Sequence, residues 1–334
     1  MAGTDVNQVA ISSLNHIKGQ DKVIDVLRVN IDAYFNSRQN GTCASFGPAL
    51  LVGPSGTGKS LVAKAVHSEL ANLDLIEANS EMLTVGEITA MLIQATDETT
   101  IFLDEAQSLD TKVQHILLTA LSEKKLFTPK KNNKGGYAIP LANFTLILAS
   151  THEYLLQDAL RNRMRIYARF DYYSNDDLIG IVKQRADSLG WDYESEDVLR
   201  IIAKRSKQTP RIALNRNLQM AWNVCSSENR ALITLSDTLR AFQLLDIDEL
   251  GLDALERSYL QELSKNESVR LNVVASKIGL PRQTVANVIE PYLLRQELIE
   301  KIGSERVITD KGKAHIEHFF RSNCLIDGDL MTNE

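Results

Sequence analysis

Short apolar runs alternate with segments of helical periodicity over the first half of the chain. The runs predict strands at 49–52, 73–77, 100–103 and 144–149. The periodic segments predict helices at 21–37, 59–70, 87–96 and 111–121. Strands that alternate with helices predict an α/β fold, in which a parallel sheet is covered by helices on both faces.

The second half of the chain lacks such apolar runs. Residues 175–245 show helical periodicity only, which predicts a small helical lid domain. From residue 254 the predicted order is a helix, a helix-turn-helix and a short hairpin, which is typical of a winged-helix domain. The predicted boundaries are 1–173 for the α/β domain, 174–248 for the lid, 249–322 for the winged helix and 323–334 for a C-terminal tail.

Composition is compatible with this division and excludes some classes of protein. The chain has 334 residues, of which 44% are hydrophobic and 24% charged, as in ordinary globular domains. No apolar stretch approaches the roughly 20 residues that span a bilayer, and the first residues do not resemble a signal peptide. Three widely separated cysteines have no metal-ligand spacing, so we expect free thiols and a cytoplasmic protein.

A complete phosphate-binding loop follows the first predicted strand and precedes a predicted helix. Its residues are Gly53, Pro54, Ser55, Gly56, Thr57, Gly58, Lys59 and Ser60. Backbone N–H groups converge at such a turn and bind anions. In such loops the lysine reaches the β- and γ-phosphates, and the hydroxyl coordinates magnesium. The loop therefore predicts that the chain binds a nucleoside triphosphate.

An acidic pair, Asp104-Glu105, ends the predicted strand at 100–103. Ligands of parallel sheets bind at the carboxyl ends of the strands, where the phosphate loop also lies. We expect Asp104 to lie near magnesium and Glu105 to polarise a water for attack on the γ-phosphate. The alternatives are an acidic pair on the surface and a degenerate site that binds nucleotide without hydrolysing it.

Two hydroxyl residues end the next predicted strand, and three arginines follow them at alternating positions. Of the hydroxyls, Thr151 is preferred over Ser150 for a hydrogen bond to the attacking water; a helix N-cap is the alternative. One arginine of Arg161-Asn162-Arg163-Met164-Arg165 would stabilise the charge that develops on a neighbouring subunit's γ-phosphate. Farther along, Arg211 would fold back onto the phosphates and couple the nucleotide to a movement between domains. Ordinary surface arginines are the alternative.

The order of these motifs resembles that of the AAA+ ATPases, and the chain resembles the RuvB family over about residues 14–318. Two of the matching segments are absent from AAA+ proteins in general and are therefore the more specific, namely 248–253 and 290–296. The other matching segments are 14–20, 144–151 and 209–213.

By that resemblance, the ligands would be ATP and Mg²⁺, and the chain would form a hexameric ring on duplex DNA and drive branch migration at Holliday junctions. The resemblance assigns the nucleotide chemistry to Lys59, Ser60, Asp104 and Glu105, the adenine-side segment to Ile17, sensor 1 to Thr151, the trans-acting arginine finger to Arg163 and sensor 2 to Arg211.

The chain departs from the family pattern in several places. Ala106-Gln107 stands where the family has Ile-His, and Arg163-Met164-Arg165 where it has Arg-Phe-Gly. The hairpin expected at 127–140, which docks on RuvA in the family, is polar and basic here. In the wing only Lys301 and Arg306 remain as DNA-phosphate contacts, and the domain from 253 to 334 holds 11 Lys/Arg against 13 Asp/Glu.

These departures leave two functions open. The first is an ATP-hydrolysing, ring-forming DNA motor, in recombination or repair, whose partner differs from RuvA. The second is a nucleotide-dependent switch or loader that recruits a protein to DNA with little translocation. The net charge of −6 gives no general indication of DNA binding. The basic residues Lys130, Lys131 and Lys134 would contact a partner or DNA, or form an exposed hairpin tip.

Overall fold

The structure is a computed structural model that describes residues 3–9, 11–41, 45–127 and 137–330. Its contacts divide the chain into two units. The N-terminal unit holds Gly3–Leu189 together with Gln208–Arg211, and the C-terminal unit holds Gly190–Lys207 and the residues from Ile212 onward. The short segment Gln208–Arg211 therefore packs with the N-terminal unit although it follows that unit in sequence.

Strands and helices alternate in the N-terminal unit, as the hydrophobic pattern predicts. In chain order they are α1 (Asp21–Gln39), β1 (Ala49–Val52), α2 (Lys59–Glu69), β2 (Asp74–Asn79), α3 (Val85–Gln94), β3 (Thr99–Asp104), α4 (Thr111–Glu123), β4 (Lys125–Phe127), β5 (Ala138–Pro140), β6 (Thr145–Ser150), α5 (Asp158–Arg161), β7 (Ile166–Arg169) and α6 (Asn175–Leu189). The pattern did not predict β7, because only Ile166 and Ala168 of this edge strand are buried.

Five strands form a parallel sheet in the order β2-β3-β6-β1-β7. All four residues of β1 are buried, because both faces of the sheet are covered. Ala49 and Leu51 pack into one apolar cluster with residues of α1 and α2. Leu50 and Val52 pack into a second cluster with residues of α3 and α4. The predicted α/β fold is confirmed, and the order brings the carboxyl ends of β1, β6 and β3 side by side.

The C-terminal unit is mostly helical and includes a small three-stranded sheet. Its elements are β8 (Asp192–Tyr193), α7 (Glu196–Lys204), a π-helical segment (Ile212–Leu218), α8 (Gln219–Ser227), β9 (Leu232–Ile233), α9 (Leu235–Leu244), α10 (Ala254–Ser264), β10 (Val269–Arg270), α11 (Leu271–Lys277), α12 (Arg282–Thr284), a second π-helical segment (Val285–Ile289), α13 (Glu290–Arg295), β11 (Ile299–Ile302), β12 (Glu305–Ile308) and α14 (Asp310–Leu330). The two-residue strands β8 and β9 pair with each other and are too short to show in the pattern.

The elements from α10 onward form the predicted winged helix. β11 and β12 are an antiparallel hairpin, the wing, and β10 adds a third strand beside β12. A separate apolar cluster holds this domain together; it includes Tyr259, Leu260 and Leu293. Within the described parts of the chain, no helix has the length and apolar character needed to cross a membrane.

Candidate nucleotide site

The glycine-rich loop after β1 has a backbone that only glycine adopts without strain. Gly53 has φ of 149°, and Gly58, just before α2, has φ of 98°. A Cβ on Gly53 would lie 2.4 Å from the carbonyl oxygen of Phe170. The loop therefore packs against the end of β7 and turns its chain directly into the N-terminus of α2, where backbone N–H groups favour an anion.

Lys59 is the first residue of α2, and its side chain folds back over the loop. The ammonium donates to the carbonyl oxygens of Gly53 and Pro54, at 2.8 Å each. Burial lowers the pKa of Lys59 from 10.5 to about 8, although the nearby carboxylates of Glu105 and Asp104 act in the opposite direction. The amine is thus a buried cation next to two carboxylates, a suitable partner for the charge of a phosphate.

Ser60 and Asp104 come into direct contact across the ends of β1 and β3. The Ser60 hydroxyl donates to Asp104 Oδ2 at 2.6 Å, and Asp104 Oδ1 accepts from the backbone N–H of Glu105 at 2.9 Å. A hydroxyl beside a carboxylate is a donor set that suits Mg²⁺ when phosphate oxygens and water complete its coordination. In the described residues no group of three or more His, Cys, Asp or Glu side chains could hold a metal ion. The Ser60 hydroxyl and the Asp104 carboxylate fit a magnesium ion that arrives with a nucleotide.

Glu105 turns away from β3 in a left-handed conformation, with φ of 51° and ψ of 43°. Such a backbone is uncommon for a residue with a side chain and often occurs at functional sites. Its carboxylate Oε2 accepts a hydrogen bond from the side-chain amide of Gln107. Sequence reasoning did not assign a role to Gln107, although its departure from the family pattern was visible.

Thr151 follows β6, the strand next to β3. Its hydroxyl accepts from Gln107 Nε2 at 3.0 Å and lies 2.9 Å from His152 Nδ1. Among the described residues, the Thr151 side chain makes no capping hydrogen bond to the 3₁₀ turn that follows it. The hydroxyl of Ser150 accepts a hydrogen bond from the backbone N–H of His152, at 3.2 Å. The structure thus brings Thr151 into the same hydrogen-bonded group as Glu105.

Arg211 reaches the phosphate loop from the segment Gln208–Arg211. Its guanidinium donates to the Ser55 hydroxyl at 3.2 Å, and its Cβ lies 3.0 Å from the position of a Cβ on Gly56. Tyr173 also contacts the loop, because its hydroxyl donates to the carbonyl oxygen of Thr57 at 2.9 Å. Arg211 is therefore in the right place to contact a phosphate bound by the loop.

Arg163 is exposed, and its side chain makes no hydrogen bond or ion pair with the described residues. Its two neighbouring arginines differ. Arg161 pairs with Asp158, and Arg165 lies 3.5 Å from the hydroxyl of Ser45. Arg163 lines an open cleft with Glu123 and other residues of α4 and α5, and none of the described residues that line this cleft belongs to the phosphate loop.

Ile17 follows a short 3₁₀ turn before α1. Its side chain is half-buried against the apolar cluster beneath α1 and α2. The turn is attached to α2, because Glu69 accepts hydrogen bonds from Ser13 Oγ and from the backbone of Leu14. Ile17 is thus part of the N-terminal unit.

The two wing cations proposed to contact DNA both pair with one buried carboxylate. Glu290 is fully buried, and it accepts from Arg306 Nε at 2.8 Å and lies 2.9 Å from Lys301 Nζ. Tyr259 also donates to Glu290, at 2.8 Å. The side chain of Arg306 is only 10% exposed, whereas that of Lys301 is 40% exposed. A DNA phosphate could reach Arg306 only if this pair broke. The basic residues 130–134 lie outside the described residues.

Three family models match successive parts of the chain. Family models match residues 10–170 (Holliday junction DNA helicase RuvB P-loop domain), 173–248 (RuvB AAA lid domain) and 249–317 (RuvB C-terminal winged helix domain). A protein of Corynebacterium diphtheriae, named Holliday junction branch migration complex subunit RuvB, is 30% identical over 91% of this chain and 83% of its own length. The chain belongs to the RuvB family.

Other members of the RuvB family match over a similar extent. The Thermotoga maritima protein with the same name is 29% identical over 94% of this chain and 93% of its own length. A solved structure titled Thermotoga maritima RuvB Holliday junction branch migration motor is 28% identical and gives a TM-score of 0.76. That match covers 92% of this chain and 97% of the other.

Proposed function

We propose that this RuvB family member is an ATP-hydrolysing, ring-forming motor that acts on duplex or four-way-junction DNA in recombination and repair. The observation that carries the proposal is the set of groups at the carboxyl ends of β1, β3 and β6. Three contacts organise them: Lys59 donates to a loop carbonyl, Ser60 donates to Asp104, and Gln107 joins Glu105 to Thr151. The names of the relatives support DNA junctions as the substrate.

Each residue has a role in this proposal. Lys59 and Arg211 would neutralise the phosphates, and Glu105 would accept the proton of the attacking water while Thr151 orients it. Magnesium, held by Ser60 and Asp104, would neutralise charge on the β- and γ-phosphates. The protein's share of the catalysis is therefore positioning and electrostatic stabilisation, as expected for phosphoryl transfer.

The site needs one further cation, and the exposed Arg163 is suited to supply it to a neighbouring subunit. We expect Arg163→Ala to lower the rate of ATP hydrolysis by about 10³-fold, because an arginine that stabilises the transition state contributes about that much. ATP affinity should stay within a few-fold of wild type, since the cleft that Arg163 lines includes no described residue of the phosphate loop of its own chain. The matched control is Arg200→Ala on α7, a 62% exposed arginine in surface ion pairs. Normal turnover by Arg163→Ala would refute the assignment.

The winged helix gives one reason to keep a second candidate, a nucleotide-dependent switch that recruits a protein. Both of its wing cations pair with Glu290 within the domain, which reduces the positive charge that the wing offers to DNA. The rate of ATP hydrolysis measured with and without duplex and four-way-junction DNA, alongside the mass of the protein with ATP, distinguishes the two. The motor predicts a ring and a rate that DNA raises; a slow rate that DNA leaves unchanged favours the switch.

The partner is proposed to differ from RuvA. The strands β4 and β5 form the base of the hairpin, and the segment between Phe127 and Tyr137 is polar and basic in sequence. Mixing the protein with RuvA and a four-way junction tests the proposal. ATP-dependent branch migration that requires RuvA would refute a changed partner.

A further inference from the structure

The side-chain amide of Gln107 lies between the ends of β3 and β6 and makes four hydrogen bonds there. Its Nε2 donates to Glu105 Oε2 and, at 3.0 Å, to Thr151 Oγ1. Its Oε1 accepts from the hydroxyl of Ser150 at 2.8 Å and from the backbone N–H of Thr151 at 3.1 Å. One side chain therefore links the acidic end of β3 to the hydroxyl end of β6.

These four bonds fix the orientation of the amide. A primary amide offers two N–H donors and an oxygen with two lone pairs, and Gln107 uses all of them. The opposite orientation would place the amide oxygen against the carboxylate of Glu105 and the NH₂ group against the backbone N–H of Thr151. The environment thus permits one orientation only, in which a neutral donor faces Glu105.

The contact leaves Glu105 ready to act as a base. Gln107 occupies Oε2, whereas Oε1 has no hydrogen bond to a described residue. A general base needs a free lone pair directed at the proton that it removes. Because the amide carries no charge, it restrains the carboxylate without the pairing that a lysine or arginine would impose.

We propose that Gln107 is a positioning residue for ATP hydrolysis, which holds the carboxylate of Glu105 and the hydroxyl of Thr151 at a fixed separation. The inference rests on the proposed function, because it needs Glu105 to be the base for the attacking water. In this proposal Gln107 does not touch the nucleotide and acts through Glu105 and Thr151. These two residues follow different strands of the sheet, β3 and β6.

The turn that carries Gln107 does not depend on its side chain for stability. Ala106 is fully buried and Leu109 is 4% exposed, so both neighbours anchor the turn in the core. Backbone hydrogen bonds from Ser108 to Glu105 and from Leu109 to Ala106 close it. Replacing Gln107 should therefore change the position of the Glu105 carboxylate more than the stability of the fold.

The experiment compares Gln107→Leu, Gln107→His and Ser150→Ala with wild type, measuring kcat, KM, the Kd of a fluorescent ATP analogue and the melting temperature. Gln107→Leu should lower kcat by on the order of 10- to 100-fold, the effect expected of a misplaced catalytic group. Its KM and Kd should remain within about two-fold of wild type. Gln107→His, which keeps one donor and one acceptor, should recover part of kcat. Ser150→Ala removes one anchor and should give a smaller loss.

Two further variants separate positioning from a structural role. Ser108→Ala changes an exposed neighbour on the same turn and should behave as wild type. Gln107→Glu places a second carboxylate beside Glu105, and only its protonated form can donate. Its kcat relative to wild type should therefore rise as the pH falls from about 8 to about 6.

Three results would overturn the inference. The first is a kcat of Gln107→Leu at or above the wild-type value, which would make the contact dispensable or inhibitory. The second is a loss of kcat matched by an equal loss of nucleotide affinity or of melting temperature, which would make Gln107 structural. The third is a wild-type protein that binds ATP and does not hydrolyse it, which would refute the proposed function itself and this inference with it.

Discussion

At the residue scale, Lys59 combines burial with a position beside two carboxylates. Burial lowers its pKa to about 8, so a substantial part of the population loses the proton just above neutral pH. A bound triphosphate favours the charged ammonium and raises the pKa again. The charge on which phosphate binding depends is therefore partly created by the ligand.

This behaviour predicts that the protein takes up protons when it binds ATP. More protons should be taken up at about pH 8.5 than at about pH 7, because at the higher pH Lys59 is mostly neutral before ATP binds. Calorimetry in buffers with different ionisation enthalpies measures the number of protons taken up per ATP bound. Equal uptake at the two pH values, or proton release at the higher one, would contradict the assignment of the low pKa to Lys59.

The sequence was sufficient to predict Lys59, Ser60, Asp104 and Glu105, because a short motif or a strand end fixes each of them. It was insufficient for Gln107. Two of its partners, Ser150 and Thr151, lie 43 and 44 positions away along the chain, and they meet Gln107 only through the register that pairs Leu103 of β3 with Leu148 of β6. Local patterns carry no information on that register.

At the scale of elements, the winged helix is stabilised by an ion pair in its core. Helix α13 begins with Glu290, which is fully buried and bonded to Arg306 of β12 and to Tyr259 of α10. The sequence predicts a DNA contact at Arg306, because the residues of the wing give no indication of the buried Glu290 carboxylate with which Arg306 pairs. The contacts favour a structural role for Arg306 and leave Lys301 as the more accessible cation.

Glu290→Ala should lower the free energy of unfolding of the winged helix by about 3–5 kcal/mol, because it leaves the Arg306 guanidinium buried and unpaired. Hydrogen exchange of the amides in α10, α13 and β12 of the full chain measures the loss. Replacing both partners, by Glu290→Leu with Arg306→Met, should restore much of the protection. The matched control is Glu297→Ala, an 83% exposed glutamate. Unchanged protection in Glu290→Ala would contradict the account.

The same pair has a defined dependence on pH. Burial acts to raise the pKa of Glu290, but hydrogen bonds from Arg306, Lys301 and Tyr259 outweigh it and leave the pKa below the ordinary value of 4.5. Its stabilisation is therefore complete above about pH 4.5 and is lost as the pH falls through the lower folded-state value.

At the scale of the whole molecule, the two units that the contacts define differ from the domains that hydrophobic periodicity predicts. Helix α6 groups with the N-terminal unit, as does the segment Gln208–Arg211. Periodicity could not indicate this, because α6 has the same helical pattern as the helices that follow it. The consequence is that Arg211, although far along the chain, belongs to the unit that carries the phosphate loop.

The central claim is that ATP is hydrolysed between subunits, at a site that one chain cannot complete. Two variants divide that site: Glu105→Gln lacks the base and keeps the finger, whereas Arg163→Ala lacks the finger and keeps the base. Each alone should hydrolyse ATP at about a hundredth of the wild-type rate or less.

The measurement that tests the claim most directly is the ATPase rate of the two variants mixed, with mass measurement to confirm that they assemble together. The account predicts a rate well above the sum of the separate variants, because the Arg163 of one chain completes the Glu105 site of the next. A rate equal to that sum, in confirmed mixed assemblies, would contradict it.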